Sequence, residues 1–491
     1  MEKDEAEGFN RIDGIELITG LHSEFIDFSF YDVLQTDFVN HMGKLFGTDG
    51  IRGKANEYPI NVEMATKLGR AIASILPQGN PDSYVIVGRD TRQSGFMLEA
   101  ALCAGLNSVG WNVLLTGVLP TPAVAQLVKD SEVQGGVMIT ASHNPFEDNG
   151  LKIFGPDGYK LPDEVEEKIE ALLLSESFDP ILALAENIGF TTPLGDAESR
   201  YVEAILSSVE GLDLSGKTVV LDCANGATSA VAGGVFEQLG AKVVTTAVEP
   251  IGTNINEGCG ALYPEKAGEL VQDYDADLGI SFDGDGDRVI FCDEKGQPIN
   301  GDRVLGLGAL ALKKQDQLRG ETLVCTVMSN LGLHEAMQKA GISVATTQVG
   351  DRHVLERMRA ADFNFGGENS GHLIFSDYST TGDGILSALQ ILKLMADSGK
   401  TLSELSEEIP LYPQKLTNLK IASKPDLTTL PKLNQVIAEA NEAFAGQGRE
   451  LIRYSGTENK IRILVEHKEE ALVEEWTEKL VAVVKEEIGE A

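Results

Sequence analysis

The sequence of 491 residues has few cysteines, no long apolar run and a shortage of positive charge. Its five cysteines are scattered and show no CxxC spacing, which argues against a disulfide framework or a zinc site and for a reducing cytoplasm. No apolar stretch approaches the roughly 20 residues of a membrane-spanning helix, and the chain opens without a signal-peptide pattern. We therefore expect a cytoplasmic protein that has no membrane partner.

The charge balance excludes a further class of partner. There are 40 Lys and Arg residues against 76 Asp and Glu, which gives a formal net charge of −36 at pH 7. Nucleic-acid binding needs a basic surface, so it is excluded. The field of so acidic a chain would also repel a small anion, so a site for one must gather its own Arg and Lys residues.

Two motifs that are common in phosphate and acyl chemistry are missing. The sequence has no GxxxxGK[ST], which excludes a P-loop nucleotide as a phosphate source, and no GxSxG elbow, so an acyl-transferring hydrolase is unsupported. A relaxed dinucleotide fingerprint at residues 306–311 follows no strand and falls inside a predicted helix. We interpret it as helix packing.

The sequence does contain a repeated order of strand, loop and helix. Short apolar runs recur from residue 45 onward, for example at 84–88, 136–140 and 277–282, and they predict the buried strands of an α/β fold. The last segment differs. A strand at 461–465 is followed there by one amphipathic helix, which predicts a small α+β domain.

The chain is too long for one hydrophobic core, so we expect several domains. Residues 1–41 hold ten acidic and two basic residues without a clear helical or strand pattern, and we expect a poorly ordered extension. The predicted domains that follow are residues 42–195, 196–301, 302–411 and 412–491.

The strongest single feature is the run Asp283-Gly-Asp285-Gly-Asp287-Arg288, which follows a predicted strand. In an extended segment this alternation places all three carboxylates on one side, and the glycines permit a tight turn. Converging carboxylates repel each other unless a hard cation lies between them, and Mg²⁺ completed by phosphate oxygens fits this need. An EF-hand is rejected because position six is Arg288 instead of glycine. A purely structural acidic turn is the alternative.

The second feature is the loop Thr-Ala-Ser-His-Asn-Pro at residues 140–145. It places Ser142 at the end of a strand, in a backbone that the proline restricts. Many such serines only cap a turn. Here His143 can exchange protons near pH 7, and Lys152 can neutralise a phosphate or relay a proton.

Two further glycine-containing loops carry groups suited to hydroxyl and phosphate ligands. Glycines frame polar side chains at residues 366–372, although a polar turn that satisfies its own hydrogen bonds would have the same composition. At residues 453–462 the backbone around Gly456 can form an anion-binding nest, to which hydroxyls and two arginines add donors. An ordinary surface turn is the alternative reading of that loop.

Taken in order, these four loops resemble those of the α-D-phosphohexomutase family, and the resemblance extends over about residues 42–491. After the parts they have in that family, we call them the serine loop (residues 140–145), the aspartate loop (283–288), the sugar loop (366–372) and the phosphate loop (453–462). The resemblance implies an α/β fold with three similar mixed-sheet α/β domains and a C-terminal α+β domain around a central cleft. The segments 46–53, 145–152, 350–352 and 380–384 are most similar to the members that act on glucosamine phosphates.

The same resemblance implies a reaction and a set of residues. Ser142 would carry a phosphoryl group and exchange it with a hexose phosphate through a sugar 1,6-bisphosphate, which is both intermediate and activator. The implied metal ligands for Mg²⁺ are Ser142, Asp283, Asp285 and Asp287. The implied catalytic residues are Ser142, His143, Lys152, Arg52 and Arg288. The implied substrate-binding residues are Gly350, Asp351, Arg352, Glu368, Asn369, Ser370, His372, Arg453, Ser455, Gly456, Thr457 and Arg462. The resemblance also implies a homodimer, and a cleft that closes by hinge motion of the last domain.

One difference among family members and two departures from the family pattern bear on the expected function. Relatives that act on mannose or glucose phosphates tend to carry methionine where this chain has Asn369, so those substrates are the nearest alternative. Asn459 stands where the family usually has proline, which reduces the rigidity of the phosphate loop. The N-terminal segment has no match in the family. A non-catalytic sugar-phosphate sensor is the alternative from another class, and the retained Ser142 argues against it.

Overall fold

The computed structural model describes residues 45–47, 49–79, 82–455 and 459–489. The predicted N-terminal extension, residues 1–41, lies outside this described part. Among the residues that the structure describes, no helix is both long enough and apolar enough to cross a membrane.

The first sheet has seven strands in the order β1-β2-β6-β5-β3-β4-β7. Its strands are β1 (Phe46–Gly47), β2 (Gly50–Lys54), β3 (Tyr84–Arg89), β4 (Asn112–Val118), β5 (Gly135–Ile139), β6 (Asp148–Phe154) and β7 (Thr191–Pro193). The helices of this unit are α1 (Val62–Ile75), α2 (Gln93–Ser108), α3 (Thr121–Lys129) and α4 (Asp163–Leu174). Asn61 caps α1 by accepting a hydrogen bond from the Met64 N–H, which provides one of the partners that a helix N-terminus lacks.

The second sheet has the order β12-β11-β10-β8-β9 and the third has the order β14-β13-β15-β16. The second unit contains α5 (Ala197–Ser207), β8 (Thr218–Asp222), α6 (Ala232–Gln238), β9 (Lys242–Thr246), α7 (Glu265–Tyr274), β10 (Leu278–Phe282), β11 (Val289–Cys292) and β12 (Pro298–Ile299). The third contains α8 (Gly301–Lys314), β13 (Thr322–Thr326), α9 (Leu331–Lys339), β14 (Ser343–Thr347), α10 (Asp351–Ala360), β15 (Phe365–Gly367), β16 (Leu373–Phe375), α11 (Gly384–Ser398) and α12 (Leu402–Ser406).

The last unit is a three-stranded antiparallel sheet with helices packed against it. It contains β17 (Gln414–Lys420), α13 (Pro431–Phe444), β18 (Gly448–Tyr454), β19 (Lys460–His467) and α14 (Glu470–Ile488), and the strand order is β17-β19-β18. The predicted fold class, three mixed-sheet α/β units followed by an α+β unit, is confirmed.

The mixed pairing places the loops that carry chemistry at equivalent positions. In each of the first three sheets, strands that are connected through helices pair in parallel. The last of these parallel strands, which is β5, β10 or β15, is followed by a strand that pairs with it in antiparallel orientation. The serine loop connects β5 to β6, the aspartate loop connects β10 to β11, and the sugar loop connects β15 to β16. The phosphate loop occupies the same kind of connection, between the antiparallel strands β18 and β19.

The hydrophobic cores distinguish the last unit from the others. One continuous core contains side chains from the first three units, among them Ile86, Phe236, Phe282 and Phe365. The C-terminal unit has a core of its own, built on residues such as Phe444 and Trp476. The last unit therefore buries apolar surface of its own, apart from the core that the first three units share.

Candidate active site

Ser142 lies where the serine loop meets the aspartate loop. Its backbone φ is 52°, in the left-handed region, and the residue is 1% exposed. The hydroxyl donates a 2.6 Å hydrogen bond to Asp283 Oδ2, and its Oγ is 3.3 Å from His143 Nδ1. A left-handed conformation costs a serine on the order of 1 kcal/mol, so the surrounding contacts must hold it there.

The three aspartates form a compact and buried cluster. Asp283, Asp285 and Asp287 each offer a carboxylate oxygen within 4.8 Å of the others. Asp285 Oδ1 and Asp287 Oδ1 are buried and make no hydrogen bond to the described residues. Burial and the charges of Asp285 and Asp287 raise the pKa of Asp283 well above its ordinary value. Unpartnered anionic oxygens at this density fit a divalent cation, which would relieve both the burial and the repulsion.

Lys152 neutralises the other side of the cluster. Its Nζ lies 2.8 Å from Asp285 Oδ2, 3.1 Å from Asp287 Oδ2 and 3.0 Å from Asp49 Oδ2, and its side chain is 1% exposed. Burial would lower the pKa of Lys152, but Asp285 and Asp287 outweigh it and raise the pKa well above the ordinary value. The lysine therefore stays cationic and contacts the Oδ2 atoms, while Asp285 Oδ1 has no hydrogen-bond partner among the described residues and Asp287 Oδ1 faces Arg288 and His372.

His143 has the opposite electrostatic character. Burial, followed by the nearby charges of Arg288 and Arg52, lowers the pKa of His143 to about 4. The imidazole is therefore neutral at pH 7 and can accept a proton. Arg52 pairs with Asp49, and Arg288 Nε lies 3.9 Å from Asp287 Oδ1. Both arginines are thus held close to the aspartate loop.

A closed ring of alternating acidic and basic side chains joins this cluster to the sugar loop. In order around the ring, its members are Asp287, Lys152, Asp49, Lys160, Asp351 and His372. His372 closes it, with Nδ1 3.6 Å from Asp287 Oδ1 and Nε2 3.6 Å from Asp351 Oδ2. Burial lowers the pKa of His372, but Asp287 outweighs it and the pKa is raised. Neighbours of opposite sign make it possible to bury so many charges together.

The sugar loop offers both engaged and available groups. Glu368 is buried, and its Oε1 accepts a 3.0 Å hydrogen bond from the Gly350 N–H. Ser370 Oγ is buried and has no hydrogen-bond partner among the residues described, which fits a group that waits for a ligand hydroxyl. Asn369 lies beside Asp302; burial raises the pKa of Asp302 to about 6, and the side chain of Asn369 is one of several neighbours that partly oppose this rise.

Arg352 is placed differently from the other predicted substrate residues. Its guanidinium pairs with Asp163 and, at 2.7 Å, with Glu166 Oε1, both on α4 of the first unit. The arginine therefore ties the third unit to the first. Its predicted contact with substrate stays a prediction, and this geometry gives it a structural task that the sequence did not indicate.

The phosphate loop brings cations from the last unit towards the sugar loop. Burial and the charge of Arg462 lower the pKa of Arg453, and the charge of Glu368 acts in the opposite direction, so Arg453 lies within electrostatic reach of Glu368. Ser455 is buried, and its carbonyl accepts a 2.7 Å hydrogen bond from Lys424 Nζ. The predicted residues Gly456 and Thr457 lie outside the described part of the chain.

Several residues of this site were missed at the sequence level. Asp49 and Lys160 belong to the charged ring, Arg92 and Asn256 bind the backbone of the serine loop, and Thr121 Oγ1 donates a 2.5 Å hydrogen bond to Asp285 Oδ2. Each acts on a residue far away in sequence, so no local spacing reveals its partner. The available signal for Asp49 was its place in the glycine-flanked segment 46–53.

The fold and this site define a class of protein. A buried serine hydroxyl beside an aspartate cluster that could hold a metal ion, with lysine and arginine side chains close to that cluster, is the equipment of a phosphoryl-transfer enzyme. Four families described as phosphoglucomutase/phosphomannomutase α/β/α domains I, II and III and the C-terminal domain match residues 43–180, 199–296, 300–412 and 416–483. The chain belongs to the phosphoglucomutase/phosphomannomutase family, and so to the phosphohexomutases.

Individual relatives support the same assignment. The phosphoglucosamine mutase of Citrifermentans bemidjiense is 48% identical over 449 residues, which are 91% of this chain and 99% of the relative. That of Geobacter metallireducens is also 48% identical over 449 residues, 91% of this chain and 100% of the relative. A phosphoglucomutase/phosphomannomutase family protein from Burkholderia thailandensis has the same fold, with a TM-score of 0.75 at 23% identity over 90% of this chain and 97% of its own.

Proposed function

We propose that this enzyme is a phosphoglucosamine mutase that interconverts glucosamine 6-phosphate and glucosamine 1-phosphate. The observation that carries the proposal is the 2.6 Å contact between Ser142 Oγ and the aspartate loop, because a phosphoryl group on that oxygen would lie against the cation site. Relatives 48% identical over 91% of the chain are named for this activity. The product would supply the synthesis of UDP-N-acetylglucosamine.

In this mechanism Ser142 gives its phosphoryl group to a sugar hydroxyl and takes the second group back from the resulting 1,6-bisphosphate. Mg²⁺, held by the three aspartates and the phosphoserine oxygens, would neutralise charge on the transferring group. Lys152 supplies a fixed positive charge beside the transferring group, since its raised pKa makes it keep its proton. His143, neutral at pH 7 and 3.3 Å from Ser142 Oγ, takes the proton of the attacking sugar hydroxyl and returns it to Ser142 Oγ as the bond from that oxygen to phosphorus breaks.

The remaining site residues bind the two ends of the substrate. Arg52 and Arg288 steady the transferring phosphate. Glu368, Asn369, Ser370 and His372, with the nearby backbone of Gly350, form the sugar side of the site. The other phosphate binds at Arg453, Ser455, Gly456, Thr457 and Arg462. On this view residues 42–195, 196–301, 302–411 and 412–491 are the phosphoserine, metal, sugar and phosphate domains.

Three properties of the working enzyme complete the proposal. A hexose 1,6-bisphosphate would load the serine and so activate the enzyme. The enzyme would act in the cytoplasm as a homodimer, and light scattering would test the dimer. The five cysteines suit a reducing compartment, because all of them are buried as free thiols.

The decisive experiment combines loading of the serine with turnover. Incubation with a hexose 1,6-bisphosphate should add one phosphoryl group to the peptide that contains Ser142, as read by mass spectrometry. The Ser142→Ala variant should accept none and lose turnover while still binding the sugar phosphate. A wild-type protein that forms no phosphoserine would overturn the proposal, and it would favour a non-catalytic sensor.

The second candidate is a phosphomannomutase or phosphoglucomutase, the names that the family description carries. Turnover of glucosamine 6-phosphate, glucose 6-phosphate and mannose 6-phosphate by the same preparation separates the two. We expect the highest kcat/KM for the amino sugar. A higher value for either of the others would reassign the substrate while leaving the mutase chemistry in place.

A further inference from the structure

Arg92 lies directly behind the serine loop and takes no part in the mechanism described above. It occupies the N-cap position of α2, just after β3, and it is completely buried. A buried arginine without partners would be very costly, so its contacts show what it does.

The guanidinium of Arg92 binds the backbone of the serine loop at four points. Nη2 donates to the carbonyls of Ser142 at 2.9 Å and Asn144 at 2.8 Å. Nη1 donates to the carbonyl of Asp148 at 3.0 Å and to that of Pro145. Four carbonyl oxygens that point inward to one place would repel each other, and the cation between them makes this arrangement of the loop possible.

Asp90 fixes the arginine and links it to the serine from the other side. Arg92 Nε donates to Asp90 Oδ2 at 2.9 Å, and Asp90 Oδ2 also accepts a 2.7 Å hydrogen bond from Thr140 Oγ1. Thr140 Oγ1 in turn accepts a 2.9 Å hydrogen bond from the Ser142 N–H. The backbone of Ser142 is therefore held at its carbonyl by Arg92 and at its N–H through Asp90.

The second unit adds an independent contact to the same carbonyls. Asn256 Nδ2 donates to the carbonyl of Ser142 at 2.9 Å and to that of Asn144 at 3.0 Å. The backbone of the aspartate loop packs against the same point, since a Cβ on Gly284 would lie 2.6 Å from the Ser142 carbonyl oxygen and 2.8 Å from Asn256 Nδ2. A shift of the serine loop would therefore also move the aspartate loop.

We propose that Arg92 is a positioning residue for phosphoryl transfer, which holds Ser142 in its left-handed conformation and so aims Oγ at the cation site. The inference rests on the proposed function, because it concerns the same serine. Asn256 supports the same carbonyls from the opposite unit. A displacement of about 1 Å in such a site can cost on the order of 100-fold in rate while the substrate-binding groups are untouched.

The test measures how fast a hexose 1,6-bisphosphate loads Ser142 in full-length wild type and in Arg92→Lys. Lysine keeps the charge but cannot reach four carbonyls with one nitrogen. We expect loading at saturating bisphosphate to slow about 100-fold, with half-saturation changed less than about threefold. The matched control is Arg89→Lys, the same change three residues earlier, where the arginine pairs with Glu99 and stacks on Phe96. It should load at the wild-type rate.

Asn256→Gly is the second variant. If Arg92→Lys fails to fold, Asn256→Gly still tests whether contacts to the carbonyls of the serine loop position Ser142. Asn256 has a φ of 60°, which glycine adopts without strain. We expect this variant to load about tenfold more slowly with half-saturation unchanged. Loading of folded Arg92→Lys, or of Asn256→Gly, at close to the wild-type rate would overturn the inference and leave the mutase proposal intact. Failure of the wild type to load would instead overturn the proposed function.

Discussion

Ser142 Oγ and Asp283 Oδ2 lie 2.6 Å apart although 141 positions of sequence separate the two residues. Each sits in the hairpin connection at the end of its own sheet, and the shared core of the first three units brings the two connections together. Ser142 and the aspartate cluster therefore meet between two units. This contact is costly in the metal-free protein. Asp283 accepts the hydrogen bond from Ser142, but burial and the charges of Asp285 and Asp287 raise the pKa of Asp283 and so disfavour its ionised form.

The first prediction concerns metal binding. Adding Mg²⁺ to EDTA-treated wild-type protein should raise its thermal midpoint, and at 100 times the Kd the gain corresponds to about 2.7 kcal/mol. Asp283→Asn removes one of three repelling charges, so the metal-free variant should melt about 2–4 °C above the wild type and respond much less to Mg²⁺. Thermal scans with and without metal check both effects.

Asp397→Asn is the control for this experiment, since Asp397 is an exposed carboxylate on α11. It should show the wild-type response to Mg²⁺. An Asp283→Asn protein with an undiminished response would contradict the assignment of the cation site.

The second prediction concerns Lys152, which lies between three carboxylates. Lys152→Met keeps the length of the side chain but leaves buried charges without a partner, and we expect it to destabilise the protein by about 3–5 kcal/mol. Turnover should fall at least about 100-fold, because the fixed cation is lost. Chemical denaturation and steady-state kinetics measure the two effects.

Lys217→Met is the matched control. Lys217 pairs with Asp277 at 2.8 Å, but its side chain is 52% exposed. The free energy of unfolding should then change by less than about 1 kcal/mol. If both substitutions lowered the free energy of unfolding equally, burial of the ion pairs around Lys152 would add nothing to stability.

Much of this arrangement could be predicted from the sequence, because the relevant patterns are local. The alternation of Asp283, Asp285 and Asp287 after an apolar run indicates a metal loop. The place of Ser142 before a proline predicts a restricted, exposed turn, and the prediction of exposure is wrong, because Ser142 packs against the aspartate loop and is 1% exposed. The strand and helix order gave the fold class, which the structure and the family matches bear out. The roles assigned to the individual site residues remain predictions.

What the sequence could not supply are pairings between distant residues. Arg92 is one charged residue of a polar loop in the sequence, and its task depends on carbonyls 50 or more positions away. Arg352 was predicted to contact substrate, yet its guanidinium pairs with Asp163 and Glu166. Both residues have long side chains whose direction is set by tertiary packing. Neither composition nor residue spacing predicts that direction.

The third prediction concerns substrate preference. Asn369 is half-buried in the sugar loop, next to Asp302. Asn369→Met removes a polar group, so the ratio of kcat/KM for glucosamine 6-phosphate to that for glucose 6-phosphate should fall about tenfold. Competition between the two substrates measures the ratio directly. An unchanged ratio would show that Asn369 does not determine the substrate preference.

The last prediction concerns the pH dependence of stability. Asp302 is completely buried at the start of α8, and its Oδ2 accepts a 3.0 Å hydrogen bond from the Asn330 N–H. Burial raises the pKa of Asp302 to about 6, and the hydrogen bond from Asn330 only partly opposes this. The hydroxyl of Ser329 also lies within hydrogen-bonding reach of Asp302 and opposes the rise in its pKa, and it can accept a hydrogen bond from the carboxyl once that is protonated.

Because the folded pKa lies above the ordinary value of 3.8, the folded protein binds this proton more tightly than the unfolded chain. The stabilising contribution of Asp302 is therefore complete below about pH 4 and is lost as the pH rises through 6. Asp302→Asn resembles the protonated form at every pH. We expect the stability of this variant relative to wild type to increase between pH 4 and pH 6, by an amount on the order of 3 kcal/mol, and to level off above. Urea denaturation at a series of pH values measures the difference. A difference independent of pH would mean that Asp302 is ionised in the folded protein throughout, and that the Asn330 N–H outweighs burial.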